Sequence, residues 1–167
     1  MDISTDMIKD LRAQSGAGVM DCRNILVQTE GDIDKALAVL KEKGLAKAQK
    51  KAGRVTGQGL VEAYIHTAGR IGAMIEINCE TDFVARTDEF KEMAHCLAMQ
   101  VAALNPQYIS EEDMPEGTEA VPEEVCLLNQ QYIKDPGMTV KDVITETIAK
   151  VGENITIGRF TRYELGN

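Results

Sequence analysis

Residues 71–86 read IGAMIEINCETDFVAR, and this stretch decides the fold of the chain. Its first part alternates apolar residues with small or polar ones at a period of two, which is typical of a strand with one buried face. The apolar set is Ile71, Ala73, Ile75, Ile77 and Cys79. Further on, apolar residues recur at helical spacing, which predicts an amphipathic helix over about 88–104 with Thr87 as its N-cap. Residues 81–86 therefore form a corner between a strand and a helix.

The corner places an acidic and an aromatic side chain next to each other, at Asp82 and Phe83. Two interpretations of this pair are open. Aspartate is common where a helix begins and a single phenylalanine is usually buried, so both residues can be purely structural. In the other interpretation, the corner presents a carboxylate and an aromatic ring to a partner outside the fold.

The first 53 residues are predicted to form a module of three short helices. Ser15-Gly16-Ala17-Gly18 breaks the first helix, Asp32 is a natural N-cap for the third, and Gly44 is expected to end it. Gly53 then begins a looser segment that marks a boundary. A core of this size is expected to be only marginally stable alone.

Residues 54–167 are predicted to form an α+β unit. A hairpin turning at Thr67-Ala68-Gly69 leads into the central strand, and a later helical stripe begins at Thr139 and ends at Gly152. A last strand follows. This order predicts an antiparallel sheet with helices packed on one face, interrupted by an exposed acidic loop at 110–124 that contains seven carboxylates.

Composition and charge limit the classes of function. Hydrophobic residues make up 44% and charged residues 27%, as in folded globular proteins, and no apolar window approaches the length of a membrane span. The first 20 residues contain Asp2, Asp6 and Asp10 but no apolar core of a secretory signal, so we expect a cytoplasmic protein. The net charge of −9 argues against nucleic acid as the main ligand.

One local exception to the acidic character is a basic stretch over residues 41–54. Six Lys and Arg side chains are opposed there only by Glu42. A solvated helix face and linker explains this stretch. The alternative is a contact with an acidic protein surface or with RNA.

The sequence contains no set of residues typical of a catalytic site. His66 and His95 are isolated, and the phosphate-loop, dinucleotide-binding and HExxH motifs are absent. The four cysteines are widely separated and are best explained as small buried thiols: Cys22, Cys79, Cys96 and Cys126. We therefore expect neither an enzyme nor a bound cofactor or metal.

Five collinear motifs resemble the elongation factor Ts family. They are the segments 8–23, 31–33, 50–55, 78–86 and 151–155, and the similarity continues to residue 166. The resemblance implies a ubiquitin-associated-like fold for the three-helix module. It also implies a guanine nucleotide exchange factor that binds elongation factor Tu·GDP, disturbs its Mg²⁺ site, and promotes GDP release and GTP loading.

The resemblance also implies which residues act on the partner. It assigns the displacement of Mg²⁺ on elongation factor Tu to the residues of the corner, namely Thr81, Asp82, Phe83 and Val84. It also implies that the amino-terminal module binds the same partner, through Leu11, Arg12, Val19 and Met20. For Val19 and Met20, burial in the core of the module itself is the alternative interpretation.

Two departures from the family pattern concern assembly. Long members have two related core halves and a helical hairpin, whereas this chain has room for one half. The resemblance implies that two copies of a short member pair, so we expect this chain to form a homodimer. Short members also carry a helical stretch before the segment matched by residues 126–130, and here the acidic loop runs almost directly into that segment. A dimer contact or Tu contact that this stretch makes in other members is therefore not carried over to this chain.

Two rival functions come from other classes. One is an adaptor with a ubiquitin-associated-like module that binds a partner without affecting its nucleotide. The other is an RNA-binding ribosome factor, which rests on the basic stretch alone. Nucleotide-release kinetics separate the first rival from an exchange factor, and salt-dependent RNA binding tests the second.

Overall fold

The computed structural model describes residues 3–166, so residues 1, 2 and 167, at the ends of the two predicted units, lie outside the described part. The helices are α1 (Thr5–Ser15), α2 (Val19–Gln28), α3 (Ile33–Gln49), α4 (Asp82–Ala85), α5 (Asp88–Leu104), α6 (Pro122–Val125) and α7 (Val140–Val151). The strands are β1 (Gln58–Ile65), β2 (Ile71–Cys79), β3 (Gln131–Tyr132), β4 (Asp135–Thr139) and β5 (Ile155–Glu164). The predicted α+β class is confirmed. Between residues 3 and 166, no helix combines the length and apolar content needed to cross a bilayer.

The amino-terminal module consists of α1, α2 and α3 around a small core. Ser4 caps α1 by accepting a hydrogen bond from the Met7 N–H at 3.2 Å, and Gly16 ends it with a φ of 64°. Asp32 caps α3 through the Lys35 N–H at 3.0 Å, as predicted. The core is formed by Leu11, Cys22, Ile25, Leu26 and Ala36. With so few buried side chains, this core contributes little stability of its own.

The third helix does not end at Gly44, and this prediction is wrong. The helix continues to Gln49, and Gly44 lies where α3 packs against α7. A Cβ placed on Gly44 would lie 3.4 Å from the Cβ of Ala149. Close packing of the two helices therefore accounts for a glycine that the sequence pattern marked as a stop signal.

Part of the basic stretch lies in a cleft between the module and α7. The cleft has a volume of about 520 Å³, and its lining includes Lys41, Lys43, Lys47 and Lys50. Lys47 pairs there with Asp21 of α2 at 3.5 Å. Four of the six basic side chains of the stretch therefore line this cleft while remaining exposed to solvent.

β2 is the central strand of a three-stranded antiparallel sheet with the order β1-β2-β5. The register places Ile77 between Leu60 and Ile157. A bulge between β2 and β5 follows Glu76, and it leaves Gly158 as the extra residue on β5. A Cβ on Gly158 would lie 2.8 Å from the Glu76 carboxylate, so a larger residue at the bulge would have to displace that side chain.

Helices α4 and α5 pack on one face of this sheet, as predicted for the α+β unit, and α7 packs against α3 and α5 in the same core. The buried core includes Ile75, Ile77 and Cys79 of β2, Phe90, Leu97 and Val101 of α5, and Val140, Ile144 and Ile148 of α7. Each large apolar side chain buried in this way contributes about 1.5–3 kcal/mol to stability. The opposite face of the sheet carries no helix in the described part of the chain.

The acidic loop has local structure that the sequence did not predict. Ser110 and Asp113 form a capping box around a single 3₁₀ turn, and α6 follows at the end of the loop. The β3–β4 hairpin after it depends on Gln100 of α5, which is fully buried. Its side chain donates to the Gln131 carbonyl at 2.9 Å and accepts from the Ile133 N–H at 2.8 Å. Because Gln100 of α5 holds this hairpin in place, the residues of the hairpin themselves show no pattern from which it could be predicted.

The close approach of β1 and β2 at Gly59 gives a test of the register. Gly59 has a φ of +150°, and a Cβ on it would overlap the Ile77 carbonyl oxygen and lie 2.8 Å from the Asn78 Cα. We expect Gly59→Ala to lower the free energy of unfolding by at least about 2 kcal/mol. Urea denaturation followed by circular dichroism measures this change.

The control is Gly57→Ala, because nothing lies within 4 Å of a Cβ at Gly57. This variant is expected to stay within about 0.5 kcal/mol of the parent protein. Equal stability of the two variants would contradict the register of β1 on β2.

Candidate functional site

The corner after β2 is a strand-to-helix junction held by short contacts. Thr81 is extended, with φ −127° and ψ 156°, and α4 begins directly after it. The Cys79 thiol donates a hydrogen bond to the Thr81 carbonyl at 3.1 Å. Burial, followed by the nearby charges of Glu153 and Asp82, raises the pKa of the Cys79 thiol, so it remains a neutral donor.

Phe83 projects from this corner into solvent. Its side chain is 79% exposed, whereas Val84 and Ala85, which follow it in α4, are buried in the core. The single turn of α4 is therefore anchored in the core by Val84 and Ala85, and it leaves the Phe83 ring exposed. The interpretation of Phe83 as a core residue is excluded by this exposure.

Asp82 lies beside Phe83 and is presented with it. Its carboxylate is about half exposed and pairs with Arg86 one turn later, at 2.8 Å. Of the four corner residues assigned by the resemblance, Asp82 and Phe83 face outward and Val84 faces the core. Thr81 is partly buried and holds the corner to another element.

That element is the turn after α7. The Glu153 carboxylate accepts two hydrogen bonds from Thr81, one from the backbone N–H at 2.9 Å and one from the hydroxyl at 2.6 Å. The two residues are 72 positions apart in the chain. Sequence reasoning gave no role to Glu153, and its place in the motif 151–155 is the only signal that could have identified it.

Asn154, the next residue, holds the linker that leads to the amino-terminal module. Its side-chain amide donates to the carbonyls of Ala52 and Arg54 at 3.2 and 3.0 Å, and its backbone N–H donates to Glu80 at 2.7 Å. The Arg54 guanidinium lies 3.4 Å from the same carboxylate. The hydrogen bond from Asn154, and then the positive charge of Arg54, lower the pKa of Glu80. The turn therefore contacts both the corner and the linker.

The amino-terminal module presents a small apolar surface at the start of α2. Val19 and Met20 are exposed, the latter at 61%, so their burial in the module core is excluded. Val27 is also exposed and lies seven residues after Met20, on the same helix face. Arg12 is exposed on α1. Leu11 is fully buried in the module core, so the expectation that Leu11 contacts a partner does not fit this structure.

The open face of the sheet carries a second apolar surface, which sequence reasoning missed. Its exposed side chains are Val61, Ile65, Met74, Tyr163 and Leu165, with Tyr163 at 72%. Four of them lie toward the hairpin end of the sheet. Val61 pairs in register with Glu76, which forms an ion pair with Arg159 at 2.8 Å on the same face. β1 and β5 are the two edge strands of this sheet.

The titratable side chains elsewhere are engaged in ordinary packing. His95 lies 2.9 Å from the Glu62 carboxylate and stacks edge-on against Tyr64. His66 lies 3.1 Å from the Tyr64 hydroxyl. All four cysteines are buried and free, which confirms the prediction of buried thiols. In the part of the chain that the structure describes, no group of three or more His, Cys, Asp or Glu is arranged to hold a metal ion.

Comparisons with known proteins identify one family. The family model described as elongation factor TS matches residues 8–120 and 117–167. Elongation factor Ts of Thermoanaerobacter sp. (strain X514) is 50% identical, over 98% of this chain and 95% of that protein. The proteins of the same name from Carboxydothermus hydrogenoformans and Thermotoga neapolitana are each 49% identical, over 98% and 99% of this chain and 89% and 98% of their own lengths.

These alignments also locate residues that the chain lacks. The alignment with the Thermoanaerobacter protein extends over 194 residues, whereas the chain has 167, so at least 27 residues of that relative have no counterpart here. The two matches of the family model meet at residues 117–120, within the acidic loop. This position agrees with the expectation that a stretch before residue 126 is missing.

The exposure of Phe83 can be tested by comparing two substitutions of phenylalanine by alanine. Phe83 is 79% exposed and Phe90, seven residues later, is fully buried. We expect Phe83→Ala to change the free energy of unfolding by no more than about 0.5 kcal/mol. Phe90→Ala is expected to cost about 3–5 kcal/mol because it leaves a cavity in the core. Thermal or urea denaturation measures both, and a large loss of stability in Phe83→Ala would contradict the exposed placement.

Proposed function

The chain belongs to the elongation factor Ts family of translation elongation factors, and we propose that it is a guanine nucleotide exchange factor for elongation factor Tu. In this proposal, the chain binds Tu·GDP, disturbs the Mg²⁺ site, and promotes release of GDP and loading of GTP in the cytoplasm. The chain makes and breaks no covalent bond, so it is not an enzyme in the chemical sense. The observation that carries the proposal is the outward projection of Asp82 and Phe83 from an anchored corner.

Exchange requires only that the chain bind nucleotide-free Tu more tightly than Tu·GDP. Because binding free energies are coupled reciprocally, the affinity of Tu for GDP then falls by the same factor. Burial of an exposed phenylalanine ring stabilises a complex by about 1.5–3 kcal/mol, which corresponds to roughly a 10- to 100-fold change in affinity. If the ring of Phe83 is buried only after elements of the partner have shifted, this free energy favours the shifted state.

Asp82 supplies the electrostatic part of the proposed action. Mg²⁺ takes oxygen ligands and keeps several waters, which are ordered by surrounding hydrogen-bond donors. A carboxylate brought next to this shell competes for those donors and disturbs the water network. Arg86 holds Asp82 in the free protein at 2.8 Å, so the carboxylate is oriented before it meets the partner.

In this proposal, the amino-terminal module provides the main binding contact with elongation factor Tu. Arg12, Val19 and Met20 are exposed on the module, and Val27 extends the same apolar face by two helical turns. The linker of the module is held next to the corner by Asn154. A partner bound to the module is therefore kept within reach of Phe83.

A second copy of the chain is the proposed occupant of the open sheet face. The face carries five exposed large apolar side chains, and β1 and β5 are the edge strands of this sheet. Because one apolar patch on each copy can pair with itself about a two-fold axis, such a face suits a homodimer. All four cysteines are buried, so the dimer is expected to form without disulfides.

The exchange proposal is tested by release of fluorescent mant-GDP from purified elongation factor Tu. The parent chain should accelerate release, and Phe83→Ala should reduce that acceleration roughly 10- to 100-fold while the fold stays intact. Asp82→Ala should also slow release. Its effect should shrink when EDTA removes Mg²⁺, because the step that Asp82 assists has then already occurred.

Phe90→Ala is the control for losses caused by unfolding, since this side chain is buried and does not reach the partner. Its activity per folded molecule should equal that of the parent chain. Binding to Tu with no change in the rate of GDP release would indicate the non-exchanging adaptor instead. Tight intrinsic binding of GDP or GTP to the chain would also contradict the proposal.

The dimer is tested by placing a charge on the open sheet face. Met74→Lys puts an ammonium group among the exposed apolar side chains and is expected to shift the dimer to monomers in light scattering. Val55→Lys is the matched control, because Val55 is even more exposed and precedes the sheet. A parent chain that is monomeric both alone and bound to Tu, with full activity, would rule out the dimer.

A further inference from the structure

Glu153 and Thr81 make the strongest long-range polar contact to the corner. Both oxygens of one carboxylate are used, and both donors belong to the residue that directly precedes α4. The contact joins two motifs that are far apart in the chain, at 78–86 and 151–155. Hydrogen bonds to a charged acceptor are the stronger class, so this pair restrains the corner more than a neutral contact would.

The contact also replaces the usual cap of a helix. Thr81 is the N-cap residue of α4, yet its side chain makes no capping hydrogen bond to that helix. The hydroxyl donates to Glu153 at 2.6 Å instead. In α5, by contrast, Thr87 caps the helix with its hydroxyl in the ordinary way. The orientation of α4 is thus set from outside, by the turn after α7.

The orientation of α4 determines where Phe83 points. α4 has only four residues, and its position in the core rests on Val84 and Ala85. Apolar contacts are not directional, so two small buried side chains alone permit rotation of a short helix. The paired hydrogen bonds from Thr81 to Glu153, together with the one that the Thr81 carbonyl accepts from the Cys79 thiol, restrict this rotation and thereby the direction of Asp82 and Phe83.

We propose that Glu153 is a positioning residue for nucleotide exchange: it does not touch the partner, but it holds Thr81 so that Asp82 and Phe83 project in the productive direction. This inference rests on the proposed exchange function. Loss of this restraint changes the placement of Asp82 and Phe83 in the complex more than it changes the affinity of initial binding. The reason is that, in this proposal, the amino-terminal module makes the main binding contact with the partner. A displacement of about 1 Å in a positioned group can reduce a rate about 100-fold.

The test measures mant-GDP release at several concentrations of each variant, which separates the maximal rate from the half-saturating concentration. Glu153→Gln keeps the shape of the side chain but cannot accept both hydrogen bonds. We expect its maximal rate to fall at least about tenfold, with the half-saturating concentration within about twofold of the parent. Glu116→Gln, which removes the same charge from an exposed position in the acidic loop, should behave as the parent chain does.

A second arm distinguishes positioning from a general structural role. In the Asp82→Ala/Phe83→Ala background, Glu153→Gln should change the maximal rate less than about twofold, because Glu153 acts only through these two side chains. In addition, the Thr81 amide should exchange its hydrogen faster in Glu153→Gln than in the parent chain. An effect of Glu153→Gln that is as large in this background as in the parent chain would overturn the inference.

Thr81→Val provides an independent variant if Glu153→Gln does not fold. It removes only the hydroxyl donor at nearly constant volume, and its maximal rate should fall without a rise in the half-saturating concentration. A parent chain that accelerates release, together with Thr81→Val or Glu153→Gln at the full maximal rate, would overturn this inference and leave the exchange function intact. A parent chain that does not accelerate release would overturn both.

Discussion

Burial of one face of β2 is the constraint on which the rest of the structure depends. Ile75 and Ile77 are almost fully buried, which requires β1 and β5 on the two sides of the strand and α5 over its face. The strand can leave this environment only at its end, where the chain must turn outward to reach α5. The corner at Thr81 is located there because the core fixes where β2 stops.

The corner combines rigidity with an exposed apolar ring. In a free protein, an exposed phenylalanine contributes nothing to folding, but its burial free energy remains available for association. Part of that free energy would be lost if the corner had to become ordered during binding. Val84 and Ala85 in the core, and Glu153 outside it, already hold α4 in place. The free energy of burying Phe83 is therefore available to the complex.

The turn after α7 explains why several motifs occur together. Glu153 holds the corner, and Asn154 holds the backbone of the linker at Ala52 and Arg54. Lys51 of the same linker donates to the Gly152 carbonyl. Three segments that are distant in sequence, 50–55, 78–86 and 151–155, thus meet at one point of the fold. The two matches of the family model meet at residues 117–120, which lie outside all three segments.

The sequence by itself determined the elements whose patterns are local. The period of two in β2, the stripe of α5 and the cap at Asp32 each follow from neighbouring residues, and all three predictions are confirmed. Only the tertiary structure decided that α3 passes through Gly44, that Phe83 is exposed, and that Leu11 lies in the module core and not on its surface. It also decided the contact between Glu153 and Thr81. Each of these outcomes depends on a contact between distant parts of the chain, and such contacts leave no periodic signal in the residues around them.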